Sequence, residues 1–171
     1  MSDQTITIRQ LKLDEWETLR TLRLQALKEC ESAYTAFYEE AVKRSDSEWQ
    51  DMLYGEDKAI FVLYEDEKPI GLASIFTSRD DPSGKTGVLA MGYIASEYRE
   101  QGLSKFLYRA RLDWAQNHPV IEKIVMAHRA GNEAAHRAIA AQNFKPAGEE
   151  YMRFGDGTED KAYQYVLELK K

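Results

Sequence analysis

One cysteine, Cys30, stands in 171 residues, so the chain cannot close an internal disulfide. That favours a reducing compartment. No apolar stretch approaches the ~20 residues that span a bilayer. Met1–Gln10 lacks the basic start and apolar run of a secretion signal, so a cytoplasmic protein is expected. There is no internal repeat, no low-complexity segment and no linker rich in Pro, Gly or Ser, and 171 residues suit one domain spanning 1–171. Positive charge is short as well: 23 Lys and Arg against 29 Asp and Glu leave a formal net charge of −6. A general nucleic-acid binder needs a basic face for phosphates, so that class is disfavoured. His118, His128 and His136 make no metal pattern with acids or cysteine and read as surface or packing residues. Gly84-Lys85-Thr86 would end a phosphate-binding P-loop only if a glycine stood at position 79, which is Arg79.

What is present is a clear succession of elements. Thr5–Arg9 alternates like a strand. Asp14 is placed to cap a helix whose apolar stripe is Trp16, Leu19, Leu22, Ala26, Leu27 and Cys30, which makes Cys30 a small core residue. Tyr34–Lys43 is ambiguous. Ser45 or Asp46 can cap a shorter helix with Trp49, Met52 and Leu53. Ile60–Tyr64 and Ile70–Thr77 read as a hairpin around a polar turn. Val88–Ile94 is a strand with Gly92 inside it, often the mark of a bulge. Leu103, Phe106, Leu107, Ala110 and Trp114 form a helical stripe that ends before Pro119. Val120–Ala127 is a strand, Asn132–Gln142 a helix, and Phe144 and Tyr163–Leu169 supply the last strands. The order predicts an α/β (mixed α+β) domain with one sheet and helices on both faces.

The turn Tyr98–Lys105 lies between a strand and the helix that follows it. Main-chain N–H groups there lack helical partners, and the helix dipole favours an anion. Gly102 lets a phosphate approach the backbone. Ser104 adds a hydroxyl, and Arg99 and Lys105 add charge. From Tyr98 to Arg111 four basic residues face one acidic residue, +3 in a chain of −6. This is a good pyrophosphate cradle, although glycine and arginine also open many ordinary helices with a solvated basic face.

The stretch Tyr93–Ser104 resembles the acyl-CoA loop of the GNAT superfamily of N-acetyltransferases, Q/R-x-x-G-x-G/A. Arg99 and Gly102 match, and Ser104 replaces the usual Gly or Ala. Asn132-Glu133-Ala134-Ala135 is similar to the family's N-x-x-A at its fourth helix, and Asn143-Phe144 sits where Gly-Phe is usual. Leu22–Tyr38 and Trp49 resemble the two-helix region of one bacterial branch. The resemblance covers essentially the whole chain. It implies one mixed, mostly antiparallel sheet with a splayed central parallel strand pair, and acetyl-CoA as cosubstrate with no metal. It implies that Gln101, Gly102, Leu103, Ser104 and Lys105 hold the pyrophosphate, assisted by Arg99. Tyr93 and Ile94 would pair through backbone with the pantetheine arm, Gly92 would lie near the bulge that opens the slot, and Asn132 would contact the cofactor. Relatives are often dimers, so a homodimer is implied too.

The implied reaction moves acetyl from acetyl-CoA directly to a primary amine: a small molecule, a peptide N-terminus or a lysine. It needs a neutral amine, a polarised thioester carbonyl and a proton for the leaving thiolate. The family's tyrosine seven residues after the motif asparagine is Ile139 here, which cannot donate. Tyr34, Tyr151, Tyr163 and Tyr165 are the alternative donors. The strand Val88–Ile94 has no carboxylate, so Glu31, Glu39 and Glu40 are the candidates for binding the amine or relaying its proton. The plain reading of these tyrosines is packing, and of these glutamates a solvated helix face. A non-catalytic acyl-CoA-binding or sensor module, and an enzyme for longer acyl groups, are the rival readings.

Overall fold

The computed structural model describes residues 4–171; the first three residues of the N-terminal stretch read above lie outside it. In chain order the elements are β1 (Ile6–Gln10), α1 (Trp16–Glu29), α2 (Tyr38–Ala41), α3 (Asp46–Asp51), β2 (Lys58–Glu65), β3 (Lys68–Thr77), β4 (Thr86–Ile94), α4 (Ser104–Asn117), β5 (Lys123–Arg129), α5 (Glu133–Ala140), β6 (Lys145–Arg153) and β7 (Glu159–Glu168). The strands form one seven-stranded sheet in the order β1-β2-β3-β4-β5-β7-β6. Every neighbouring pair is antiparallel except β4 with β5.

Each face of the sheet carries its own core. The apolar run of β2 splits by strand alternation: Ile60, Val62 and Tyr64 face α1 and α3, while Phe61 and Leu63 face α4. Leu19, Leu22, Ala26 and Trp49 complete the first core, and Leu107, Ile124, Ile139 and Phe144 the second. A strand buried on both faces has no polar side to alternate with, so its sequence reads as a continuous apolar run.

Local signals set the helix ends, with one correction. Asp14 does not cap α1. Leu13–Glu15 form a short 3-10 turn, in which the Glu15 carboxylate accepts from the Lys12 N–H at 2.9 Å and from Arg9 at 2.7 and 2.6 Å. Ser45 caps α3 through a reciprocal pair with Glu48. The Asn132 side chain caps α5, accepting from the Ala135 N–H at 3.1 Å. Asn143 ends the turn after α5 with φ +67°, the left-handed conformation in which asparagine substitutes for glycine.

Other expectations shift. The ambiguous 34–43 segment becomes extended chain and the short α2, after a 3-10 turn at Glu31–Ala33. β5 begins at Lys123 rather than Val120, since Ile121 is spent on core packing before the strand starts. The full extent of β6 was not expected. It is an edge strand with nearly every residue exposed, so no alternation marks it.

Two irregularities open the centre of the sheet. β4 and β5 pair only at Thr86–Val88 with Lys123–Val125 and then part, although β4 runs on to Ile94 and β5 to Arg129. Against β3, the register passes from Leu72↔Tyr93 to Ser74↔Ala90, so β4 carries one extra residue. The left-handed residue of this bulge is Met91, at φ +59°, rather than the adjacent Gly92. Holding a side chain there costs about 1–2 kcal/mol, and the surrounding ladder holds it.

Candidate active site

The loop leaving β4 turns twice through left-handed residues, Glu100 at φ +62° and Gly102 at φ +74°. α4 then starts at Ser104, beside the end of β4. The N–H groups of Gly102 and Leu103 find no main-chain acceptor among the described residues, and the first turn of α4 contains no acid. A Cβ built on Gly102 would meet nothing within 4 Å. The glycine therefore answers to the backbone angle, and its outer face is open to a ligand. Lys105 is exposed nearby. Gln101 donates its side-chain amide to the Glu97 carbonyl at 3.2 Å, which ties the loop to the preceding turn.

The strand pairing decides which peptide groups face the gap between β4 and β5. Ala95 N–H donates to the Ile70 carbonyl on β3 at 2.8 Å. By alternation the Tyr93 peptide also faces β3, and those of Gly92 and Ile94 face the gap. Both carbonyls there have side-chain donors. Tyr34 donates its hydroxyl to the Gly92 carbonyl at 2.6 Å, and Arg99 donates Nε to the Ile94 carbonyl at 2.7 Å. Arg99 is thus folded back over the end of β4, its guanidinium 5.7 Å from the Tyr93 ring centre and its Nη2 3.6 Å from Glu29. Cys30 lies at the end of α1, half-buried, with its Sγ 3.5 Å from Arg99.

On the α1 side of the gap Tyr93, 4 % exposed, joins a polar chain. Gln25 donates to its hydroxyl at 2.7 Å, and that hydroxyl donates to Glu29 at 2.7 Å. Burial, and then the hydrogen bond to Glu29, push the Tyr93 phenol up to about 12. Burial likewise pushes the Tyr34 phenol well above its ordinary value. Both stay protonated at neutral pH and can act as donors. Sequence reasoning missed Glu29 because it read that helix for its apolar stripe alone. The signal available was Gln25 and Glu29 at i and i+4, one polar edge beside the stripe.

Tyr34 is held by chain distant in sequence. Its carbonyl accepts from the Gly155 N–H at 2.7 Å, in the turn between β6 and β7. A Cβ on Gly155 would lie 2.7 Å from the carbonyl oxygens of Ala36 and Glu31, so only glycine fits without displacement. Arg129 clamps the same region, donating to the Ser32 carbonyl at 3.0 Å and to Asp156 and Asp160 at 2.9 Å each.

The remaining expected residues lie apart from this network. Glu31, Glu39 and Glu40 are exposed. Tyr151 is 75 % exposed on β6, and Tyr163 is 36 % exposed. Tyr165 is buried on the α4–α5 face, where its hydroxyl meets His128 Nε2 at 2.9 Å and His136 Nδ1 at 3.2 Å. Ile139 is fully buried in the core. No group of His, Cys, Asp and Glu among the described residues is arranged to hold a metal. Among the described residues no helix is long and apolar enough to cross a membrane.

The chain thus has a mixed sheet split at a parallel pair, with a glycine-bearing turn and a helix N-terminus at the mouth of the split. The chain belongs to the GNAT acetyltransferase family, whose model matches residues 16–144. It is therefore an acyltransferase. Among solved structures it is similar to a GNAT-family acetyltransferase of Streptococcus pneumoniae, at 15% identity and TM-score 0.83 over 97% of this chain and 100% of that one. It is also similar to the putative acetyltransferase yncA of Salmonella typhimurium, solved with acetyl-CoA, at 16% identity and TM-score 0.80 over 98% and 95% of the two chains. A third is the ribosomal-protein-S5-alanine acetyltransferase of Vibrio fischeri, at 16% identity and TM-score 0.78 over 98% and 95%. At these identities the likeness is one of fold. No curated protein sequence matches the chain at significance.

Proposed function

We propose that this protein transfers an acetyl group from acetyl-CoA directly to a primary amine bound on the α1 side of the strand gap. The observation that carries this reading is the gap itself. β4 and β5 share only three residue pairs, and beyond them the Gly92 and Ile94 peptides face the opening beside the α4 N-terminus. Main-chain N–H groups from Gln101 to Lys105 bind the pyrophosphate. The gap-facing peptides of β4 take the pantetheine arm as an added strand would. Arg99 moves from Ile94 towards the phosphates as the arm claims that carbonyl. Asn132, at the start of α5, flanks the far wall.

In the reaction the amine nitrogen bonds to the acetyl carbon, and the carbon–sulfur bond breaks after a tetrahedral intermediate. A gap-facing N–H of β4 stabilises the oxyanion. Glu29, directly or through Tyr93, receives the proton that the amine loses. Tyr34, poised at the bulge, is the donor to the thiolate in place of the tyrosine that Ile139 replaces. Of the candidates Tyr34, Glu39 and Tyr151, Tyr34 alone touches β4 at the gap. Holding both reactants in line supplies much of the rate.

Calorimetric titration with acetyl-CoA, and separately with CoA, tests the reading. Micromolar affinity, ~−8 kcal/mol, that weakens in Arg99→Ala is expected, followed by thiol release when amines are added. Absence of binding to either ligand sinks the proposal. Binding without thiol release from any amine would instead favour an acyl-CoA-binding module.

A further inference from the structure

Two buried donors between α1 and α3 have no acceptor among the described residues. Arg23, on α1, is 7 % exposed, and its Nη1 is buried with no hydrogen-bond partner. Trp49, on α3, is fully buried, and its indole Nε1 is equally unpartnered. Arg44, just before α3, sits 5.2 Å over the Trp49 ring, and its Nη1 meets the Met52 sulfur at 3.8 Å. Neither arginine enters an ion pair among the described residues. Burial above all, opposed by Tyr34 and reinforced by repulsion from Arg44, lowers the Arg23 guanidinium to about 10.

Buried donors are matched in the great majority of cases, and a lone buried cation is costly. Stacking on aromatic rings attracts a guanidinium but accepts none of its in-plane N–H groups. The partner this cluster lacks is an acceptor with negative charge. Tyr34 ties the cluster to the reaction site: its ring lies 4.8 Å from the Arg23 guanidinium carbon, and its hydroxyl is 2.6 Å from the Gly92 carbonyl in the gap. One tyrosine ring therefore separates the unmatched donors from the place where acetyl would be transferred.

We propose that Arg23, Trp49 and Arg44 form the binding site for an oxyanion, a carboxylate or a phosphate, carried by the acetyl acceptor itself. The acceptor is then a small amine whose nitrogen and anionic group are a few bonds apart, of the amino-acid kind. A lysine side chain within a protein has no such anion at that spacing. This inference rests on the acetyltransferase reading of the gap.

Matched acceptors test it. Amino acids, their primary amides and the corresponding aminoalkylphosphonates are assayed for thiol release from acetyl-CoA. The anionic members should exceed the amides in kcat/KM by ~10- to 100-fold, the strength of a charge-assisted hydrogen bond. The better of carboxylate and phosphonate identifies the group. Arg23→Met and the less buried Arg44→Gln should erase the preference while calorimetric acetyl-CoA affinity is unchanged. Amides used as well as acids, or a preference that survives both substitutions, overturns the inference.

Melting curves in acetate, phosphate and chloride at equal ionic strength give a readout independent of turnover. Wild type should melt higher in one of the oxyanions by a margin that Arg23→Met lacks. Equal shifts in both proteins would overturn the inference. Loss of acetyl-CoA binding in the wild type would instead fail the acetyltransferase reading, and the melting comparison would still stand.

Discussion

The Tyr34 hydroxyl donates to the Gly92 main-chain carbonyl at 2.6 Å, at the bulge that opens β4. Two chain segments far apart in sequence thereby meet at the mouth of the strand gap. The bond satisfies a carbonyl that lost its strand partner when β5 diverged, and it sets a protonated phenol beside the gap.

Tyr34→Phe removes this bond and leaves the ring on Arg23. Stability should fall by about 1 kcal/mol in urea unfolding. Turnover should fall while acetyl-CoA affinity holds. If kcat is unchanged, the thiolate takes its proton elsewhere, and Tyr165 with its two histidines becomes the next candidate.

Glu29→Gln keeps the shape at the end of α1 and removes the carboxylate that Tyr93 contacts at 2.7 Å. A drop of ~10²-fold or more in kcat is expected, the low end of what a positioned base contributes. An unaltered kcat would remove Glu29 from the mechanism and return attention to Glu39.

Gly102 holds φ +74° with open space around its missing Cβ. Gly102→Ala should therefore cost only the left-handed backbone penalty, ~1–2 kcal/mol. Gly102→Trp should keep a native circular dichroism spectrum and lose acetyl-CoA binding in calorimetry. Unchanged affinity in the tryptophan variant would exclude the loop as the phosphate cradle.

Gly155 is constrained by space instead, with carbonyl oxygens 2.7 Å from where a Cβ would stand. Gly155→Ala should push the 31–36 segment away from the β6–β7 turn. The expected loss is ~1–3 kcal/mol of stability, as for other overpacked sites. Turnover should fall too, because Tyr34 hangs from that contact, while acetyl-CoA affinity stays close to wild type.

The Arg9–Glu15 pair gives a pH test. Its hydrogen bond to Arg9 holds the Glu15 carboxyl at about 2, below its ordinary 4.5. A depressed folded-state pKa adds stability above the unfolded value and loses it as pH falls from about 4.5 to about 2. Arg9 is half exposed, so solvent screening keeps the pair below ~1 kcal/mol. Arg9→Ala should be slightly less stable than wild type at pH 7, and the difference should vanish near pH 2. A gap that persists in acid would mean that Arg9 acts by packing on Tyr64, whose ring centre is 4.9 Å away.

Much of this site was legible in the chain because its parts are local. The stripe of α1, the Ser45 cap and the turn through Gly102 each depend on residues within a few positions of one another. Asn143 is an instructive case: the resemblance implies glycine there, and its φ of +67° is a left-handed angle met here by asparagine. The bulge was legible in place but not in detail, since the ladder against β3 put the left-handed angle on Met91 and left Gly92 ordinary.

The sequence by itself determined the order of elements and the turn through Gly102, because short-range spacing encodes caps, turns and amphipathic faces, and its motifs carried the resemblance to the family. Tertiary structure alone decided which side chains meet at the gap. It brought Glu29 against Tyr93 and left Glu31, Glu39 and Glu40 exposed, hung Tyr34 on Gly155, and gathered Arg44 beside the unmatched donors of Arg23 and Trp49. Those meetings depend on strand register and on helices packing across a sheet, and no local pattern records a contact between residues 58 positions apart.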